Sequence, residues 1–489
     1  MKALSRIFTA TAACLLFVGG TASAVGMGYG QAAATGMAGA YTASATGIHA
    51  AYWNPANLAA FRFRSPGVEV GIINTGFKIG NDGIAWGDFV DWTADEVLTT
   101  EEIQKALGQL SGSSVAVHQS AEIGMPFSVA VGQYSVSFGI VQMVDLGISR
   151  GFLDMIADDP SPDFTDEQAI LDRYNESKAG NVIRDLSGMK ADFWALATFG
   201  VSHARLIDVD PFDRFAVGGT INYYAASPRM RIVKSSGQAV VYPNGWDTDA
   251  QLVMELAGAS LKRTTDEWGD KETDFEAEGF AAWGLGFNVG VAGTWNKDLD
   301  FSVALHNIPL RKITWKTAER RTYTIQNDEP INAKAMFDDK PDGMDTIDYL
   351  DSLFAPTGGK VSQYEQLSSI SAAAPAYLRA GVQKDFFARM LTLGVDIEQG
   401  FNETAITSTT PRLATGVEVR PLGGWLPLRA GMSIGGKTGH FASLGFGLHA
   451  GFFEVDMGFV KEGAFTPFEV PFSGSSTGLG MAMEMKLSF

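Results

Sequence analysis

The sequence predicts an all-β fold, a transmembrane antiparallel β-barrel of about 14 strands with an N-terminal segment folded into its lumen. Three observations carry this. Apolar residues alternate with small or charged ones in run after run, and the connections between runs are long and short by turns. After residue 24 there is no run of about 18 apolar residues, so no helix is expected to span a bilayer. Composition agrees: 489 residues that are 46% hydrophobic and 19% charged are too apolar for a disordered chain, and 56 glycines are too many for a helical enzyme. The net charge of −18 argues against nucleic acid as a partner, because phosphate binding needs a basic surface.

Residues 1–24 have the order of a secretory signal: Lys2 and Arg6, the apolar run Ile7 to Val18, then Thr21-Ala22-Ser23-Ala24, with cleavage expected after Ala24. The single cysteine, Cys14, lies within this leader, so no disulfide and no cysteine metal site is expected in the mature chain. A lipid anchor at Cys14 would need its apolar core before the cysteine, whereas Leu15-Leu16-Phe17-Val18 follow it.

The barrel is expected over residues 62–489. Strands are read at about 66–77, 115–131, 134–149, 189–201, 214–234, 276–295, 299–316, 374–385, 388–399, 412–421, 427–436, 439–449, 451–460 and 477–489. The last is the clearest: Leu479, Met481, Met483, Met485, Leu487 and Phe489 alternate with Gly480, Ala482, Glu484, Lys486 and Ser488. Alternation by itself fits a soluble sandwich as well as a membrane barrel. The connections decide, because those after odd strands are mostly long and those after even strands mostly short, as in bacterial outer-membrane barrels. Gly436-Lys437-Thr438 is short on the long side, and 202–213 is long on the short side. An even count with the C-terminus on the short-turn side puts both termini in the periplasm and the long loops outside, so a multi-pass barrel in the outer membrane of a Gram-negative cell is expected, with outer-membrane lipid around it.

The long loops carry helical spacings: a capping box at Thr99 and Glu102 leading into Ile103, Leu107 and Leu110; a stripe of Leu252, Val253, Leu256 and Leu261; and another of Met344, Ile347, Leu350, Leu353 and Phe354. These stripes pack the loops onto the rim or line an apolar entrance. The inward-facing charges Asp396, Glu398, Glu418, Arg420, Glu454, Asp456, Glu484 and Lys486 are expected to cross-link the lumen wall.

From Val25 to Phe61 there is no Asp, Glu, Lys or Arg, and six glycines make the segment a poor helix and a poor strand. A neutral, compact stretch ahead of the first strand is placed to plug the lumen, so 25–61 is read as a hatch. Tyr52, Trp53 and Leu58 are too costly to leave in water in a free tail.

Within it, Gly36-Met37-Ala38-Gly39-Ala40-Tyr41 and Ala50-Ala51-Tyr52-Trp53-Asn54-Pro55-Ala56-Asn57-Leu58-Ala59 resemble the hatch of the outer-membrane long-chain fatty-acid and hydrocarbon transporter superfamily, marked by an Asn-Pro-Ala triplet before the first strand. The resemblance covers the mature chain in architecture and residues 36–59 in motif. It implies a 14-stranded barrel, a plugging hatch and passive uptake of a hydrophobic or amphipathic small molecule. The form Tyr-Trp-Asn-Pro-Ala-Asn-Leu and the stretch Leu428-Arg429-Ala430-Gly431-Met432 also resemble a sister branch of secretion-accessory barrels. That branch implies the alternative, a barrel that docks a protein partner on its extracellular loops. A ligand pocket beside the hatch is expected to touch Met27, Tyr29, Trp53 and Phe61. Asn54, Pro55 and Ala56 are expected to position the hatch, with Asn54→Ala losing about 1–2 kcal/mol of local hydrogen bonding.

No catalytic residue, cofactor or metal is indicated. Gly-x-Ser-x-Gly occurs at 147–151, 431–435 and 474–478, but none opens a convincing helix, as a nucleophile elbow must. Gly445-Phe446-Gly447-Leu448-His449-Ala450 lies inside a strand, with no helix N-terminus for a pyrophosphate. The six histidines show no zinc spacing, and the aspartates at 338–351 miss the EF-hand pattern.

Overall fold

The computed structural model describes residues 31–61, 64, 67–81, 108, 114–124, 128–157, 182–242, 245–265, 271–277, 279–326, 363–404, 406–437, 439–463 and 477–489. The leader, Met27, Tyr29, the stretch from Thr99 to Leu107, and the stripe and aspartates within 338–354 lie outside these residues.

Fourteen strands close into one antiparallel barrel: β1 Val68–Asn81, β2 Ser114–Gly124 continued by Val129–Val131, β3 Tyr134–Ser149, β4 Lys190–Leu206, β5 Phe212–Ala226, β6 Ala282–Trp295, β7 Leu299–Trp315, β8 Tyr377–Phe386, β9 Leu391–Gly400, β10 Arg412–Val419, β11 Leu428–Gly435, β12 Phe441–Ala450, β13 Phe453–Glu462 and β14 Gly478–Ser488. Closure is made by β1, which pairs with β2 (Ile79↔Gln119) on one side and β14 (Phe77↔Met481) on the other. A closed sheet leaves no unpaired edge, which a bilayer demands.

The alternation resolves into two faces. On β9, Val395 and Ile397 point outward and are nearly half exposed, while Asp396 and Glu398 point inward and are buried. Tyr134, Trp295, Phe387, Trp425, Phe452 and Phe489, between 51% and 75% exposed, stand at the short turns and the C-terminus. Amphipathic and aromatic rings at one level form a membrane-interface girdle.

The reading of the connections needs correcting in three places. The turn placed at 202–213 is shorter, because Ala204–Leu206 still pair with Ala216–Gly218. The run placed at 214–234 breaks at Ser227-Pro228; beyond it Arg229–Tyr242 forms a hairpin with Gly245–Ala257, above the barrel wall. The expected helix through Leu252, Val253, Leu256 and Leu261 is absent: the first three lie in that hairpin and Leu261 in the strand Ala259–Thr265. Helical spacing loses there because 245–257 finds a strand partner on both edges, Arg229–Tyr242 and Ala318–Gln326, so pairing satisfies its backbone without a helix.

The N-terminal segment also departs from expectation. It forms three short helices, α1 Ala32–Gly36, α2 Gly47–Trp53 and α3 Asn57–Ala60. Isolated helices of this length are unstable in water, so tertiary packing holds them. Almost all of residues 31–61 are buried. α1 packs on β12 and β13, α2 on β3 and β1, and α3 on β4, β5 and β6, so the segment reaches wall strands on opposite sides of the lumen.

Candidate functional site

The interior has two zones, and residues 31–61 form the lower one. Asn54 is its main tie to the wall. Its Nδ2 donates to Ser302 Oγ at 2.7 Å, to the Val291 carbonyl at 2.9 Å and to the Val303 carbonyl at 3.1 Å, while its Oδ1 accepts the Ala56 N–H at 2.9 Å. The last bond is an Asx turn, which suits the proline between them. Asn57 Nδ2 then donates to the carbonyls of Thr42 and Ala45, closing the segment on itself. Pro55 and Ala56 lie against β5 at Gly218, where a Cβ would collide with their backbone. The triplet is thus in contact with the wall at all three residues.

Across the lumen the segment lies backbone to backbone on glycines of the wall. A Cβ at Gly416 would come within 2.8 Å of the Met37 Cβ, one at Gly445 within 2.8 Å of the Gly36 Cα, and one at Gly431 would collide with the Met37-Ala38 peptide. Inward glycines on β10, β11 and β12 thus form a seat that any side chain would close.

Charged groups of the wall supply partners for the segment's backbone. Asp396 Oδ2 accepts the N–H groups of Tyr41 (3.1 Å) and Thr42 (2.8 Å), Glu69 accepts that of Ile48 (3.1 Å), and Arg412 donates to the Ala38 carbonyl (2.9 Å). The same charges neutralise one another: Arg379 and Arg412 share Glu398 at 2.6 and 3.3 Å, and Arg429 bridges Glu418 and Asp456, each at 2.5 Å. A neutral segment is what such a wall requires, since any charge on it would be buried without a counter-ion. His49 bridges Tyr41 and Glu484.

The upper zone is apolar. Val141 and Met143 of β3, Trp194 and Leu196 of β4, Tyr224 of β5, and Ile313 and Trp315 of β7 form one buried cluster, closed from the loop side by Ile370 and Ile406. Trp194 and Trp315 meet edge to face at 5.9 Å. Their height follows from the strands: Tyr224 stands six residues of β5 above Gly218, the seat of Pro55-Ala56, which is about 20 Å along the strand. Polar handles are satisfied at the margin, Tyr224 Oη on Asn307 (2.7 Å) and Trp315 Nε1 on the Ser227 carbonyl (2.9 Å).

Among the expected pocket residues, Trp53 and Phe61 are fully buried. Trp53 sits edge to face with Tyr41 (5.5 Å) under the Arg379 guanidinium (4.1 Å), and Nε1 donates to Gln31. Phe61 carries Arg64 over its ring at 4.7 Å. A cleft does open beside α2, where β1 is bulged between Gly71 and Ile73, but Ile48, Tyr52, Ile73, Ser128 and Met485 line it. Sequence reading missed the upper cluster because its members come from strands far apart in the chain. Their signal was present as large apolar residues at inward positions near the loop-side ends of the strands. His449, Glu454 and Asp456 approach one another closely enough for a metal, but Arg429 holds Asp456 and Lys486 lies 3.3 Å from Glu454, so their charge is already met.

The family described as a family of unknown function (DUF5723) matches residues 55–459. The chain belongs to that family. No curated protein matches the sequence. Among solved structures the chain is similar to the toluene transporter TbuX of Ralstonia pickettii, at 10% identity with 94% of this chain and 98% of that chain covered (TM-score 0.45). It is also similar to the CymD monoaromatic hydrocarbon channel, at 10% identity, 95% and 99% coverage (TM-score 0.42), and to the toluene transporter TodX of Pseudomonas putida, at 10% identity, 90% and 92% coverage (TM-score 0.36). A closed barrel with an apolar exterior, an aromatic girdle and a charged interior is built for a bilayer crossed by strands. This DUF5723 member is an outer-membrane β-barrel.

Proposed function

We propose that the barrel takes up hydrophobic or amphipathic small molecules of the hydrocarbon and fatty-acid class, passively and without covalent chemistry. The observation that carries the reading is the vertical order of the two zones. An apolar cluster built around Trp194, Tyr224, Ile313 and Trp315 lies under the loops, above a neutral segment tied to the wall by Asn54. An apolar solute leaving water gains about 25 cal/mol per Å² buried, so the upper zone would concentrate it. Residues 25–61 act as the hatch on this reading. They keep polar solutes out, and the small cleft between α2 and the β1 bulge marks where a way past them would have to widen. A barrel serving only to dock a protein has no need of large apolar side chains clustered inside the lumen beneath its loops, and this favours uptake over that alternative.

The test is uptake of a labelled aromatic hydrocarbon and a labelled long-chain fatty acid by cells with an intact outer membrane, with and without the protein. Faster entry of one of them, lost on Trp315→Asp with the barrel still assembled, supports the proposal. Entry that is the same with and without the protein for both probes removes it.

A further inference from the structure

The outer surface of β5, β6 and β7 carries a group of residues that the lumen does not use. Tyr223 and Trp283 face outward and stack at 6.1 Å with rings 21° apart, and the Arg311 guanidinium lies 3.4 Å from the centroid of Trp283. Their exposures, 45% and 38% for the two rings, leave the outer faces open. The register of β6 against β7 shifts between Trp283 and Leu285, Leu285 and Gly286, and Phe287 and Val289, and Asn307 has φ +57°. The ordinary alternation is lost there, and Pro309, Leu310, Arg311 and Lys312 are all exposed together. Among the described residues no carboxylate lies within ion-pair distance of Arg311 or Lys312, although most other arginines of this acidic chain are paired.

Height identifies the surroundings. Arg311 is twelve residues along β7 from Leu299, which stands at the short turn. At about 3.3 Å per residue and a tilt of about 40°, this is about 30 Å up the barrel axis, just above an apolar band about 25 Å tall. The short turns face the periplasm, so the group lies at the headgroup level of the outer leaflet. Leu310, 63% exposed, stands next to Arg311 as an apolar foot.

We propose that Arg311 and Lys312, with Trp283 and Tyr223, form a docking site for a phosphorylated glycolipid of the outer leaflet, of the lipid A type. Trp283 holds the guanidinium flat by cation–π attraction and leaves its N–H edge for a phosphate. Lys312 supplies a second charge, the two rings cover the face of the sugar, and Leu310 meets the acyl chains. The bulged backbone presents these groups together, which an evenly alternating strand would not do.

The full chain in detergent, titrated with diphosphoryl lipid A and followed by native mass spectrometry, tests this. Wild type should retain the lipid, while Arg311→Ala with Lys312→Ala should bind about tenfold more weakly, and Arg311→Lys, which keeps the charge without the planar fork, should fall between. Dephosphorylated lipid A should bind wild type and the double variant alike and weakly. Heat-modifiable gel mobility verifies that each variant is folded. Equal binding of phosphorylated and dephosphorylated lipid by wild type, or an unchanged affinity in the folded double variant, overturns the proposal.

Discussion

The side-chain amide of Asn54 donates to Ser302 Oγ at 2.7 Å, joining the N-terminal segment to the inner face of β7 across 248 residues of sequence. Ser302 Oγ in turn donates to Asn57 Oδ1 at 3.0 Å, so one wall hydroxyl serves both asparagines of the Asn-Pro-Ala-Asn stretch.

Asn54→Ala should therefore cost more than the loss of a local turn. It removes four hydrogen bonds and leaves Ser302 with one of its two partners, a loss of about 2–4 kcal/mol in the attachment of the segment. The barrel, which closes by strand pairing, should assemble normally. Chymotrypsin cleavage of the N-terminal segment, at Tyr41, Tyr52, Trp53 or Phe61, should rise while the gel mobility of the unheated barrel stays as in wild type.

Gly431→Val should expel the segment outright. Its side chain would occupy the space of the Met37-Ala38 peptide. Single-channel recording in planar bilayers should show a larger, steadier conductance, close to that of a chain lacking Val25–Tyr52. Conductance like wild type in both would mean that something other than the segment closes the barrel.

Arg429→Met should weaken the wall between β10 and β13. Arg429 is the cation between Glu418 and Asp456, all three buried, and its removal leaves Glu418 with the more exposed Arg420 and Asp456 with His449, with no cation between the two carboxylates. Breaking a buried ion cluster on one side costs about 3–5 kcal/mol. The temperature at which the folded band converts on a gel should drop. Adding Glu418→Gln and Asp456→Asn should restore part of it, because the triple variant buries no unpaired charge.

Cysteines at Val395 and Ile397 report the membrane-facing surface. In reconstituted vesicles both should resist a charged maleimide and react with a lipid-soluble one, whereas a cysteine at Trp425, on a short turn, should react with both. Reaction of Val395Cys with the charged reagent at the rate of Trp425Cys would contradict a lipid-facing wall.

How much was legible in the sequence depended on the range of the interaction. Period-two alternation is a property of each strand by itself, so all fourteen strands, their inward charges and the asymmetry of their connections could be read from runs such as Leu479 to Phe489. The neutrality of residues 25–61 was likewise legible, and it fits the burial of residues 31–61 against a charged wall, which leaves no place for a charge on them. What only the tertiary structure decided was where side chains meet across strands distant in sequence. It turned the Leu252–Leu256 spacing into a strand by offering it two partners, and folded residues 31–61 into helices by burying them. It put Trp53 under Arg379, and it brought Trp194 beside Trp315, 121 residues away, as strand stagger and the bulges of β7 dictate. Register and stagger are set by the whole closed sheet, and no local window of sequence contains them.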